Sequence, residues 1–279
     1  MNQRNLFFFF FFVLAFLMAY APIKALYVSS SQSEYYSHIV LIPLVSIYLV
    51  FQKRKLIFGE LRNDRIAGIS LLLAGALLYF VGWGVGGGLN QNDFTAIIAL
   101  AAVVVLNGGF ILSYGLHAFK AALFPLLFLV FVVPIPSALM DNFIYVLQVG
   151  STEFTNLLFM ATGVPFLREG FVFHLPGMSV EVAKQCSGIR SSLALLITVI
   201  LAGHMFLNAW WKKVLLAVLI LPITMFKNGI RILILTLMGT YWDPRWLTES
   251  NLHRDGGIVF FLLALVLMAP ILYWLRKGE

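Results

Sequence analysis

The chain contains one cysteine, Cys186, in the stretch EVAKQCSGIRSS from Glu181 to Ser192. It follows a polar, strand-like run and precedes a long apolar one. Ser187 and Gly188 suit a helix start, which puts the thiol near a helix N-terminus. That position favours negative charge and lowers a thiol pKa. A cysteine in mid-span reads as a small inert hydrophobe. The polar Lys184, Gln185 and Ser187 beside this one point to a nucleophile instead.

Two further residues suit the same chemistry. Arg231 sits inside the apolar run NGIRILILTLMG. A charge at a membrane helix centre costs roughly 2.5–3.5 kcal/mol on insertion scales, so it should face a protein interior or a polar cavity. The alternative is snorkelling to the headgroups. Asn228 precedes Arg231 by one turn and shares its helix face. His253 lies in HRDGGIVFF, just before the last apolar run. A thiol, a base and a fixed cation make an acyl-transfer site. The base takes the thiol proton, and the cation stabilises an oxyanion or binds a carboxylate. Arg190, one turn after Cys186, either holds the thiolate or anchors its helix at the headgroups.

Other polar residues read more plainly. Glu181 and Lys184 are expected to be solvated. His38, His117, His174 and His204 are scattered, with no paired spacing, so no metal site is expected. No phosphate-binding glycine loop or serine-nucleophile elbow is evident, and no cofactor is expected. One cysteine excludes an intrachain disulfide.

Composition says what must position these groups. The 279 residues are 61% hydrophobic and 11% charged. Soluble domains are about 45–50% apolar and about 25% charged. The fold class expected is therefore an all-α polytopic membrane protein, since lipid offers the backbone no partner outside helices and closed barrels. About eight spans are expected, each needing about 20 apolar residues. They are placed at Leu6–Ala21, Tyr35–Phe51, Ile66–Gly82, Phe94–Tyr114, Ala121–Leu139, Arg190–Asn208, Val214–Thr240 and Gly257–Trp274. The first resembles a signal peptide ending in Ala19-Tyr20-Ala21, but cleavage there would leave Pro22 directly past the cut. It reads as an uncleaved anchor. Residues 1–279 read as one integral membrane domain.

The net charge of +7 does not indicate a nucleic-acid partner, because the basic residues fall in short clusters between apolar runs. Such clusters mark the cytoplasmic side. Arg4, Lys53, Arg54, Lys55, Arg62, Arg65, Lys120, Lys212, Lys213, Arg276 and Lys277 then lie inside, with both termini. Cys186, Arg231 and His253 all reach the outer half of the membrane.

Two outer segments stand out. From Met140 to Gln185, Phe143, Ile144, Leu147, Phe154, Leu157 and Leu158 recur near helical spacing with Asp141, Gln148 and Thr155 between them. This predicts an amphipathic helix at the interface. FVFHL and SVEVA then alternate around Pro176-Gly177, predicting a small β-hairpin directly before Cys186. The second outer segment, Tyr241 to Gly256, carries His253.

On these residues the sequence resembles the exosortase/archaeosortase family of membrane transpeptidases. The resemblance rests on CSGIRS at Cys186–Ser191, NGIR at Asn228–Arg231 and HRDGGIVFF at His253–Phe261. Weaker echoes are SHIVLIPLVSIYLV from Ser37 and PLLFLVFVVPIP from Pro125. It implies an outward-facing site with Cys186 as nucleophile, Arg231 as stabilising cation and His253 as acid/base. It implies membrane-inserted protein substrates whose C-terminal sorting signal is a short motif such as Pro-Glu-Pro, an apolar helix and a basic end. It further implies cleavage through a thioester and transfer to a surface glycolipid or polysaccharide. A transporter or a polysaccharide-export component without covalent catalysis is the rival reading. In it Arg231 and Lys227 would bind an anion, and Cys186 and His253 would have no role.

Overall fold

A computed structural model describes residues 3–28, 39–59, 61, 64–184, 188–243, 245 and 256–279. The chain falls into two compact units, Met1–Leu139 and Met140–Glu279.

The first unit is helical. Its main helices are α1 (Gln3–Val28), α2 (Leu41–Gln52), α4 (Arg65–Val85) and α5 (Gln91–Tyr114), with short helices α3 (Arg54–Ile57), α6 (Leu116–Ala121) and α7 (Leu123–Phe128). The buried residues of α4 are Gly68, Gly75 and Gly82, a seven-residue repeat facing α5. A methyl group built on Gly68 would lie 2.9 Å from Leu112 Cα, and one on Gly75 would lie 2.7 Å from Val105 Cγ2. The backbones therefore meet closely. This is how helices associate in lipid, where no hydrophobic difference drives them together. On α1, the Phe8 ring packs edge-on against Phe110 of α5, and Tyr114 donates its hydroxyl to Asn5 Oδ1 at 3.1 Å.

The second unit combines helices with a small sheet. It holds most of α8 (Ser137–Thr162), then β1 (Leu167–Glu169), β2 (Val172–Leu175) and β3 (Met178–Glu181). Then come α9 (Ile189–Phe206), α10 (Trp210–Val218), α11 (Ile220–Tyr241) and α12 (Gly256–Lys277). The strands run antiparallel in the order β1-β2-β3, with Phe173 opposite Arg168 and Val180. The expected hairpin is present as β2 and β3, turning at Gly177 with φ +86°. The structure adds β1, whose Arg168 forms two hydrogen bonds with Glu153 of α8, at 2.7 and 3.0 Å. The sheet buries Phe173, Leu175 and Val182 against Phe159 of α8 and Ile232 of α11. A second apolar cluster joins Leu195 and Val199 of α9, Leu216 of α10, Ile220 of α11 and Ala264 and Met268 of α12.

Among the described residues, five helices are long and apolar enough to cross a membrane, or six if the bent pair Leu123–Val132 and Ser137–Thr162 counts as one span. The sequence suggested about eight. The second expected span contains the 12-residue α2, about 18 Å at 1.5 Å per residue, against a hydrocarbon core of about 30 Å. The fifth is cut short where α7 passes into a 3₁₀ turn, Leu129–Val132, followed by extended Val133 before Pro134 and Pro136. The first, third, fourth, seventh and eighth expected spans coincide with candidate spans.

The helix expected after Met140 is present, but its buried stripe is Leu147, Gln148, Ser151, Thr152, Thr155 and Phe159. Phe143, Val146, Leu157 and Met160 point outward and are exposed. Gln148, Ser151, Thr152 and Thr155 thus face the protein, while the exposed side carries large apolar residues together with Asp141, Asn142 and Glu153. The buried polar groups suit a membrane protein, where a polar group away from water needs a protein partner.

Candidate active site

The polar stripe of α8 meets α11 in the interior of the second unit. Asn228, fully buried on α11, donates from Nδ2 to Ser151 Oγ on α8 at 3.0 Å. Close packing beside it depends on Gly229, where a methyl group would lie 3.0 Å from Phe154 Cβ. One residue before Asn228, Lys227 is only 1% exposed. Its Nζ donates to Ser191 Oγ, in the first turn of α9.

The turn entering α9 is built on the Gly188 carbonyl. It accepts from Ser191 Oγ at 3.0 Å, Ser192 Oγ at 2.7 Å and the Ser192 backbone N–H at 3.0 Å. Gly188 adopts φ +72°, a left-handed conformation that a residue with a Cβ enters only with strain. It also lies against α11. A methyl group there would sit 3.3 Å from Asn228 Oδ1 and 3.4 Å from Lys227 Nζ. The sequence blocks CSGIRS and NGIR, about 40 residues apart in the chain, therefore meet through Gly188, Ser191, Lys227 and Asn228.

The stretch before Cys186 is held as well. Val182 is fully buried. Its N–H donates to the Phe171 carbonyl at 2.9 Å, and its carbonyl accepts from Gln148 Nε2 at 2.7 Å. Fixed points thus stand four residues before and two residues after the cysteine.

Of the residues singled out in the sequence, Asn228 and Arg231 are both on α11, as expected. Asn228 is buried, and Arg231 is half-buried one turn beyond Lys227. Arg190 lies in the first turn of α9. Cys186 and His253 lie outside the described residues. Three polar residues to which the sequence reading gave no role in the site hold the framework together: Gln148, Ser151 and Ser191. Lys227, considered there only as an anion ligand, is the fourth. Its signal was legible, since a lysine inside an apolar span needs a protein partner. Among the described residues, no group of three or more His, Cys, Asp or Glu is placed to hold a metal ion.

The 18-residue α9 separates this framework, by about 27 Å at 1.5 Å per residue, from another polar cluster. There Lys212 Nζ donates to the Leu275 carbonyl at 2.8 Å, and Glu279 accepts from the backbone N–H groups of Asn208 and Ala209 at 2.7 and 2.9 Å. The basic residues around Lys212 and Arg276 thus gather at the end of the unit away from Gly188.

A multi-pass helical membrane protein in which the Gly188 turn of α9 meets α11 at a polar junction defines the class. Compared with protein-family models, the chain matches Transmembrane exosortase (Exosortase_EpsH) over residues 28–270. It belongs to the exosortase family, a family of membrane cysteine proteases and transpeptidases that process sorting signals on protein substrates. The comparisons with curated proteins and with solved structures gave no match.

Proposed function

We propose that this protein is a cysteine transpeptidase that cleaves C-terminal sorting signals of exported proteins at the outer face of the cytoplasmic membrane. The observation carrying this reading is the meeting of the CSGIRS turn with α11 through Gly188, Lys227 and Asn228. It brings the Gly188 turn, two residues after Cys186 in the chain, and the helix bearing Arg231 into one framework, and we assign His253, from the segment before α12, to the same site. The separation of the Lys212 cluster from Gly188 supports the topology in which the basic end is cytoplasmic.

In the proposed reaction, His253 takes the Cys186 proton and the thiolate attacks the scissile carbonyl. Arg231 stabilises the oxyanion. The C–N bond breaks, and the leaving amine takes the proton from His253. A thioester remains on Cys186. A hydroxyl or amine of the acceptor, a surface glycolipid or polysaccharide, then attacks, losing its proton to His253 as the C–S bond breaks, and His253 returns that proton to the Cys186 sulfur. Arg190 and Asn228 support the site. A sorting signal with a short motif such as Pro-Glu-Pro, an apolar helix and a basic end fits this geometry: its helix enters from lipid and its basic end stays cytoplasmic.

The test is mass spectrometry of the C-termini of tagged substrates from cells with the parent enzyme or Cys186→Ala. A truncated C-terminus bearing an acceptor mass, present only with the parent, is the expected result. Identical C-termini in both cells overturn the reading.

A further inference from the structure

We infer that Lys227 is a positioning residue for Cys186: through Ser191 it clamps the Gly188 turn, and so fixes where the thiol is presented. This deepens the proposed cysteine chemistry and rests on it. The observation is a continuous relay. Lys227 Nζ donates to Ser191 Oγ, and Ser191 Oγ donates to the Gly188 carbonyl at 3.0 Å. Gly188 stands two residues after Cys186, and Lys227 Nζ approaches it closely enough that a methyl group there would be 3.4 Å away.

Burying a lysine at 1% exposure in the polar seam of a membrane protein is unfavourable unless its donors are used. Apolar residues would pack α9 against α11 without that penalty. The described ion pairs join Arg168 to Glu153, His174 to Glu169 and Lys212 to Glu279, so none includes Lys227. Its hydrogen bond is spent on Ser191 alone among the described residues, which ties it to the cysteine segment rather than to general packing. The Val182 anchor closes the other side, with Gln148 Nε2 on its carbonyl at 2.7 Å. The connection between Val182 and Gly188 is short, so a turn held at Gly188 limits where the thiol travels. Cys186 precedes Ile189, the first residue of α9, by three positions in the chain, and a helix N-terminus favours thiolate.

The chain's single cysteine gives a direct readout without a known substrate. Alkylation of Cys186 by iodoacetamide is measured at neutral pH in the full-length protein, with Lys227→Met, Ser191→Ala and Ser191→Thr beside the parent. We expect alkylation about tenfold slower in Lys227→Met and Ser191→Ala, from lost thiolate character. Ser191→Thr, which keeps the hydroxyl, should stay within about twofold of the parent. In processing of a tagged sorting-signal substrate, kcat should fall up to about a hundredfold in Lys227→Met with KM little changed, as misplacement of a reacting group produces. Alkylation that is unchanged or faster in Ser191→Ala overturns the clamp, even if Lys227→Met fails to accumulate. Equal slowing in Ser191→Thr and Ser191→Ala also overturns it. A failure of the cysteine mechanism shows separately, as processing that survives Cys186→Ala.

Discussion

Gln148 of α8 donates from its buried Nε2 to the Val182 carbonyl at 2.7 Å, joining the helix's polar stripe to the strand end that leads to Cys186. Replacing it by leucine keeps the volume but leaves that carbonyl without its side-chain donor. Leaving one buried polar group unsatisfied costs about 1–3 kcal/mol. We expect Gln148→Leu to insert and accumulate, with processing reduced more than accumulation. Quantitative blotting of substrate and enzyme in the same cells measures both.

The catalytic assignment makes a stricter demand. Cys186→Ala and Cys186→Ser should both abolish processing while the protein still inserts. Arg231→Lys should also be severely impaired, because lysine lacks the planar donor fork of arginine. Near-parental activity of Arg231→Lys would reduce Arg231 to a membrane anchor.

Gly188 and Gly177 offer a matched pair. Both have positive φ, +72° and +86°, yet nothing lies within 4 Å of a methyl group on Gly177. Alanine at either position meets backbone strain of about 1–2 kcal/mol. Only Gly188→Ala also crowds α11, where the methyl group would lie 3.3 Å from Asn228 Oδ1. We expect Gly188→Ala to lose most processing and Gly177→Ala to retain it, with both proteins present at similar levels. Equal loss in the two would mean that backbone strain, and not the contact with α11, governs the site.

Glu279 gives a pH dependence at the far end of α9. Hydrogen bonds from the Ala209 and Asn208 backbone N–H groups hold its carboxyl below the usual carboxylate range. A depressed carboxyl pKa adds stability above the unfolded-state pKa, and that stability is lost as pH falls through the folded value. Amide exchange at Asn208 and Ala209 should therefore be slow near neutral pH and, after correction for intrinsic rates, lose protection in acid. In Glu279→Gln the protection should be weak throughout and flat across that window. A parent profile without an acid-side loss would show that the carboxylate does not hold these amides.

Much of this was legible in the sequence, and the failures have a common cause. The long apolar runs gave α1, α4, α5, α11 and α12 because length and hydropathy decide membrane spans. The hairpin was legible because alternation changes around Pro176-Gly177. The direction in which α8 faces was not. Periodicity separates its two sides, but it does not say whether water, lipid or protein meets each one. The sequence thus places Gln148 and Thr155 on the polar side of an interfacial helix, and the structure buries both. The site framework was half legible: Asn228 and Arg231 stood out as polar residues in an apolar run, and so did Lys227. Ser191 did not, because a serine after a helix start usually serves its own backbone. Its bond to Lys227 depends on how α9 meets α11, which no local pattern encodes.

The buried polar stripe of α8 changes how this half of the protein should be engineered. Larger apolar side chains on its outer surface would exchange one oily neighbour for another, with no hydration term to gain in lipid. Cohesion between α8 and α11 comes from complementary polar pairs and close small-residue contacts such as Asn228 with Ser151 and Gly229 with Phe154. A campaign to make the enzyme tougher for purification should therefore vary hydroxyl and amide partners along that seam. It should leave the greasy exterior to the choice of detergent.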